Sequence, residues 1–281
     1  MTDPEPSFDD AEITGRRPRL PRLPLRLMLP SLVTLLAICS GLTAIRMSIE
    51  GRYDFAIGAV VLAAILDGID GRVARLLKST SKFGAELDSL ADFVNFGVAP
   101  ALILYAFVLD QLRSFGWIVA LVLAISGALR LARFNATLED PNRPAWTSAF
   151  FVGIPAPAGA LTVLLPVYLW QLGLIEPDQK GTAMVVAIYT LIIGFLMVSK
   201  LPTLSGKKLG LRIPRDMVLP ISVVLVLVIA LLVSYPFEVL TVGAALYLLT
   251  LPLGFRLYRR RLAAWKAEEA GAVPAAGPNE D

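Results

Sequence analysis

The sequence has no histidine and a single cysteine, Cys39. The first absence excludes Ser-His-Asp triads, HExxH zinc sites and every other mechanism that needs an imidazole, and leaves carboxylates as the natural general bases. The second excludes an internal disulfide, so cysteine usage says nothing about redox compartment. Charge is also scarce: 17% of residues are charged against 56% hydrophobic, and the mean hydropathy is +0.68. That balance moves the chain out of the soluble class and into the membrane class. No internal repeat of fixed period is present.

What the sequence does contain is long apolar runs. Eight candidate spans lie at about 28–48, 53–77, 84–108, 115–134, 147–170, 181–199, 216–235 and 237–258, each near the ~20 residues that cross a hydrocarbon core. The fold class predicted is an all-α integral membrane protein, with seven spans instead of eight if the turn at Pro236 does not divide the last stretch. Residues 1–26 and 262–281 are poor in apolar residues or rich in Ala, Gly, Pro and acid, and read as disordered tails on a transmembrane domain over 27–261. The first apolar run starts late and lacks a small-residue cleavage pattern, so it reads as an uncleaved span. Arg16, Arg17, Arg19, Arg22 and Arg26 precede it, and Arg256, Arg259, Arg260 and Arg261 follow the last run. The positive-inside rule then puts both termini in the cytoplasm of a multi-pass cell-membrane protein. These arginine clusters have no interleaved aromatics and flank spans, which argues against nucleic acid as a partner.

Against this apolar background one stretch is anomalous. Asp67, Asp70, Gly71, Ala74 and Arg75 are followed, after eight residues, by Gly84, Asp88 and Asp92. An unpaired charge inside a bilayer costs on the order of a few kcal/mol. The first acids and small residues recur at i, i+3, i+4 and i+7, and the second set at i, i+4 and i+8, so each forms one stripe on its helix. A short polar connector carrying Lys78, Ser79, Thr80, Ser81 and Lys82 makes the two helices antiparallel neighbours. The stripes then face each other near the inner boundary, since Asp67 and Asp70 lie roughly 21 to 26 Å along the helix from Tyr53 at 1.5 Å per residue. Converging carboxylates repel unless cations sit between them, and oxygen-only ligands suit hard ions such as Mg²⁺ or Mn²⁺. Two divalent ions would balance the four charges. Gly71, Ala74 and Gly84 keep the helix surface low enough for phosphates to approach, and Arg75 can fork onto phosphate oxygens. Taken singly, the glycines could equally ease helix packing and Arg75 anchor the helix at the interface.

This constellation resembles the signature of the CDP-alcohol phosphotransferases, integral membrane enzymes that move a substituted phosphate from a CDP-linked donor to an alcohol and release CMP. All eight signature positions match. The resemblance implies a site in which Asp67, Asp70 and Asp88 hold two ions, Asp92 binds the second ion and acts as base, and Gly71, Ala74, Arg75 and Gly84 line the CDP pocket. Three further stretches, 32–42 with Thr34, Cys39 and Gly41, 127–135 and 151–158, look like the branch that makes phosphatidylserine, and 198–208 does so more weakly. That branch implies CDP-diacylglycerol and L-serine as substrates, Thr34 in the donor pocket, a six-helix core plus two C-terminal helices, and a homodimer among membrane lipids. Ser31 departs from the family's usual residue after Pro30, as does Leu204 in the 200s loop.

Arg130 and Arg133, at the end of span four, either snorkel to the interface or grip an anionic group near the metals; they are the candidates for the serine carboxylate. Pro155 and Pro157 predict a kink in span five. The pattern Asn135, Ala136, Thr137 satisfies the glycosylation motif by chance on a cytoplasmic loop. Two other readings stand beside serine: the same reaction with glycerol 3-phosphate or an inositol phosphate as acceptor, which would need a denser basic pocket, and a divalent-cation transporter, for which no inverted repeat is visible.

Overall fold

The computed structural model describes residues 25–77, 81–138, 150–177, 179–199, 202–204 and 215–272. Ten helices cross or line the bundle within these bounds: α1 (Leu25–Ile49), α2 (Tyr53–Leu76), α3 (Lys82–Asp92), α4 (Ala99–Phe107), α5 (Ser114–Leu138), α6 (Ala156–Val163), α7 (Leu165–Gln171), α8 (Lys180–Val198), α9 (Arg215–Ser234) and α10 (Pro236–Ala272). A π-helical turn, Phe93–Val98, joins α3 to α4, and a 3₁₀ turn, Leu109–Leu112, follows α4. Two short strands, β1 (Phe150–Val152) and β2 (Pro202–Leu204), pair antiparallel with Phe151 opposite Thr203.

Lipid tails are as apolar as leucine, so helices in a membrane associate by close packing over small residues and by interhelical hydrogen bonds. Helices α1 and α2 follow that rule. Ala37 and Ala44 of α1 are buried with Ala56 and Ala63 of α2, and Ser40 Oγ donates to the Ala59 carbonyl at 2.8 Å. The turn between them needs a left-handed residue, supplied by Gly51 at φ 73°. At the end where α2 begins, the rings of Tyr53, Phe107 and Trp170 pack with centroids 5.4 to 5.5 Å apart, and the Tyr53 hydroxyl donates to the Ala106 carbonyl at 2.7 Å. This aromatic knot closes the bundle at the end remote from the aspartates.

Six helical stretches are long and apolar enough to cross a membrane: Leu29–Ile49, Lys82–Phe107, Ser114–Ala136, Lys180–Val198, Met217–Ser234 and Pro236–Gly254. Helix α2 is as long, but it carries Asp54, Asp67, Asp70, Arg72 and Arg75. The remaining passage, α6 with α7, is broken at Leu164, where Pro166 enters the next helix near its N-terminus. Helices thus occupy all eight expected stretches, six of them long and apolar enough to cross a membrane, and Pro236 starts α10 immediately after α9 ends, so the last apolar stretch is divided into two helices.

Several expectations need correction. Pro155 and Pro157 do not kink a helix; they sit at the cap and first turn of α6, where a missing N–H costs nothing. The passage so begins at 156 and not 147, and the kink falls at Pro166. Asn135 lies within α5, not on a loop. The 84–108 span is interrupted by the π-turn. Helix α10 runs on to Ala272, so 262–272, read as part of a tail, continues the helix; Leu, Ala, Lys and Glu there are strong helix formers. Residues 1–24 and 273–281, and Lys78, Lys200, Lys207 and Lys208 of the connectors, lie outside the described residues.

Candidate active site

Helix α3 starts sharply. The Ser81 side chain accepts a hydrogen bond from the Gly84 N–H at 3.0 Å, a side-chain N-cap that fixes the register of α3 just after the polar connector. With that register Asp88 comes opposite Asp70, and α1 closes over the pair. Oxygen atoms of Asp67, Asp70 and Asp88 all lie within 4.8 Å of one another. Thr34 Oγ1 on α1 reaches Asp70 Oδ2 at 2.7 Å and its own Pro30 carbonyl at 3.0 Å, so its hydroxyl orients the buried carboxylate.

Asp92 stands outside that tight trio. Its carboxyl lies beside that of Asp67 and in the field of Arg130, and its Oδ1 is buried without a hydrogen-bond partner among the described residues. None of the four aspartates forms an ion pair with a lysine or arginine among those residues; the ion pair that is present, Arg46 with Glu50 at 2.8 Å, is at the opposite end of α1. Three converging carboxylates, a fourth beside them, and no lysine or arginine in an ion pair with any of the four among the described residues fit hard divalent ions, whose ligands are oxygens. The cluster could hold a metal ion.

Beside the trio lies a cleft of about 210 Å³, lined by Pro30, Ser31 and Thr34 of α1, Asp70, Gly71 and Ala74 of α2, and Ser81, Gly84, Ala85 and Asp88 at and within α3. Gly71 presents open space: a Cβ built there would meet nothing within 4 Å. A volume near 210 Å³ is below the ~300 Å³ at the small end of ligand pockets, enough for phosphates and their ions while bulkier parts of a ligand extend beyond. Signature residues Gly71, Ala74 and Gly84, together with Thr34, are thus brought together. Arg75 is not among the lining residues; its Nε–H donates to the Gly71 carbonyl at 2.9 Å on its own helix.

The two arginines of α5 part company. Arg130 is 8% exposed, lies over the Phe134 ring at 5.4 Å, and turns toward Asp92. Arg133 donates from Nη1 to the Val198 carbonyl at the end of α8. Only Arg130 is positioned beside the aspartates. Three features had gone unread. Asn135 Nδ2 donates to Ser89 Oγ at 3.0 Å, tying α5 to α3. The π-turn follows Asp92 directly, a placement common near functional sites. Within it, buried Asn95 presses its carboxamide on Gly41, where a Cβ would come within 2.1 Å of Oδ1. A lone Asn inside an apolar run was the signal available for that contact.

The model of the family described as CDP-alcohol phosphatidyltransferase matches residues 27–197, more than half of the chain, and a second model, CDP-alcohol phosphatidyltransferase 2, matches residues 216–252. A Mycobacterium leprae protein named CDP-diacylglycerol–serine O-phosphatidyltransferase is 53% identical over 148 residues, covering 53% of this chain and 49% of that protein. Proteins of the same name from Helicobacter pylori and Bacillus subtilis are 36% identical over 236 residues and 32% over 180, covering 82% and 64% of this chain and 91% and 92% of theirs. The chain spans about half the length of the mycobacterial relatives it matches. With its apolar helices and its aspartate-lined cleft, the chain is a multi-pass membrane protein that belongs to the CDP-alcohol phosphatidyltransferase family.

Proposed function

We propose that this protein transfers the phosphatidyl group of CDP-diacylglycerol to the hydroxyl of L-serine and releases CMP. The observation that carries the reading is the cleft itself, in which Asp70, Gly71, Ala74, Gly84 and Asp88 converge beside the Asp67 and Asp92 carboxyls. The relatives' names support serine as acceptor.

Asp67, Asp70 and Asp88 would hold divalent ions, Mg²⁺ or Mn²⁺, with Asp92 sharing a second. Such ions, when bound, neutralise the diphosphate and stabilise charge on the entering and leaving oxygens. The chain supplies the rest. Gly71, Ala74 and Gly84 leave room for the CDP phosphates against the helix backbones. Arg75, one turn past Gly71, reaches an incoming phosphate by a rotamer change that gives up its bond to the Gly71 carbonyl. Arg130 holds the serine carboxylate through its guanidinium fork. Asp92 takes the proton from the serine hydroxyl as its oxygen attacks phosphorus, forming the new P–O bond while the P–O bond to CMP breaks. The acyl chains leave the cleft laterally, toward the exposed apolar faces of α1 and α2. The enzyme acts as a homodimer in the cell membrane, with both termini in the cytoplasm.

The test is CMP release by the purified protein from CDP-diacylglycerol, offered L-serine, glycerol 3-phosphate and an inositol phosphate in parallel. Release only with serine is expected, and release with a phosphorylated acceptor instead would overturn the serine assignment. Asp92→Asn should abolish release while Mn²⁺ still binds at the Asp67, Asp70 and Asp88 cluster; full activity in that variant would remove Asp92 as the base.

A further inference from the structure

Helix α3 carries Asp88 and Asp92, yet it is loosely held. Among the described residues its broad contacts are with α1 and with the π-turn, while those with α2 and α5 are sparse. The cleft runs between α2 and α3, lined by Asp70, Gly71 and Ala74 on one side and Gly84, Ala85 and Asp88 on the other, so packing across it does not fix how α3 is turned about its own axis. A polar link reaches α3 from α5. Asn135, on the last turn of α5, donates from Nδ2 to Ser89 Oγ at 3.0 Å, and the Ser89 hydroxyl donates in turn to the Ala85 carbonyl at 3.0 Å.

These two bonds in series have a direction. The Ser89 proton is committed to the Ala85 carbonyl one turn back, which leaves the lone pairs of its oxygen for the Asn135 amide, and hydrogen bonds in a chain polarise one another. Ser89 follows Asp88 directly, and adjacent residues of a helix point about 100° apart, so α5 can hold Ser89 while Asp88 faces the cleft. Rotation is what this link opposes. Side-chain tips stand about 5–6 Å from a helix axis, so a tenth of a turn would carry the Asp88 carboxylate by ~3 Å. That is a large part of the 4.8 Å within which oxygens of Asp67, Asp70 and Asp88 converge, and the oxygen ligands of a cation tolerate far less.

We propose that Asn135 is a positioning residue which, through Ser89, fixes the rotation of α3 and with it the place of Asp88 in the aspartate cluster. The proposal rests on the reading of Asp67, Asp70 and Asp88 as ligands of a divalent ion. It gives the end of α5 a task on the metal side of the cleft. The consequence discriminates among ions. Mg²⁺ demands near-ideal octahedral geometry whereas Ca²⁺ accepts flexible coordination, so a loosened α3 weakens Mg²⁺ binding more than Ca²⁺ binding.

The experiment measures Mn²⁺ binding to the purified full chain in detergent–lipid micelles from the electron paramagnetic resonance signal of free Mn²⁺, with Mg²⁺ and Ca²⁺ affinities read by displacement. The proteins are the wild type, Asn135→Ala, Ser89→Ala, Ser89→Thr and the double variant Asn135→Ala/Ser89→Ala, and CMP release at varied L-serine is followed alongside. Asn135→Ala and Ser89→Ala should each lower the Mg²⁺ affinity roughly three- to tenfold, the size of one net hydrogen bond, and lower the Ca²⁺ affinity less. The double variant should bind no more weakly than the single ones, because coupled residues do not act additively. Ser89→Thr keeps the hydroxyl and should bind Mg²⁺ as the wild type does. Unchanged Mg²⁺ affinity in both single variants, equal losses for Mg²⁺ and Ca²⁺, or additive losses in the double variant would overturn the inference while leaving the metal reading intact. A rise in serine KM in Asn135→Ala at unchanged Mg²⁺ affinity would do the same, since Asn135 would then act on the acceptor. A wild-type protein that binds no Mn²⁺ would overturn both.

Discussion

Thr34 shows how a single hydroxyl can matter in a site made of carboxylates. Its bond to Asp70 Oδ2 at 2.7 Å fixes one oxygen of the proposed metal cluster, and partners that orient metal ligands are typically worth about 10- to 100-fold in metal affinity. Thr34→Val should therefore raise the Mn²⁺ concentration for half-maximal CMP release roughly tenfold, with the rate recovered at saturating metal; an unshifted Mn²⁺ titration would show that Asp70 needs no such help. Gly41 is constrained differently. A Cβ there would lie 2.1 Å from Asn95 Oδ1 and 3.3 Å from the Asn95 Cα, so the buried Asn95 carboxamide would have to turn aside and α1 ease away from the π-turn. Forcing a methyl into such a contact costs about 1–3 kcal/mol, and Gly41→Ala should melt earlier in detergent. Gly58→Ala, where a Cβ meets nothing within 4 Å, is the control and should not melt earlier.

At the scale of elements, the helix ends decide which side chains reach the site. The cap at Ser81 sets α3 against α2, and the prolines of α6 start a helix where a kink was expected. The α5 arginines were indistinguishable by sequence, each one turn from the other at the end of an apolar run. Packing separates them: Arg133 ties α5 to the Val198 carbonyl at the end of α8, and Arg130 faces inward. Arg133→Ala should accordingly destabilise the α5–α8 contact by about 1.5–3 kcal/mol, the worth of a charged hydrogen bond, seen as a lower melting temperature, and change the serine KM less than Arg130→Ala does. The reverse order in the two serine KM values would exchange their roles. The aspartate stripes were legible because helical spacing alone places them on one face, and the convergence of Asp67, Asp70 and Asp88 follows from it. The π-turn and the Asn135–Ser89 bond were not legible, because each depends on which helix lies alongside, and no local pattern specifies that.

For the whole molecule, hydropathy located the long apolar helices but not their interruptions. With both termini in the cytoplasm, as proposed, the α1–α2 turn would be external and the Ser81 end of the cleft internal. In a Cys39→Ala background, a cysteine at Gly51 should react with a membrane-impermeant maleimide in intact cells, and one at Ser81 only after lysis; the opposite pattern would invert the topology. The helices also differ in how much they are asked to specify. Between Met217 and Ser234 none of α9 is buried, and its substantial neighbour among the described residues is α10. Every other passage has a face that must interlock with a neighbour, so the order of its residues is constrained. Helix α9 meets little of that demand among the described residues, so exchanging one greasy residue for another along it should disturb the bundle less than the same exchanges in α1 or α2.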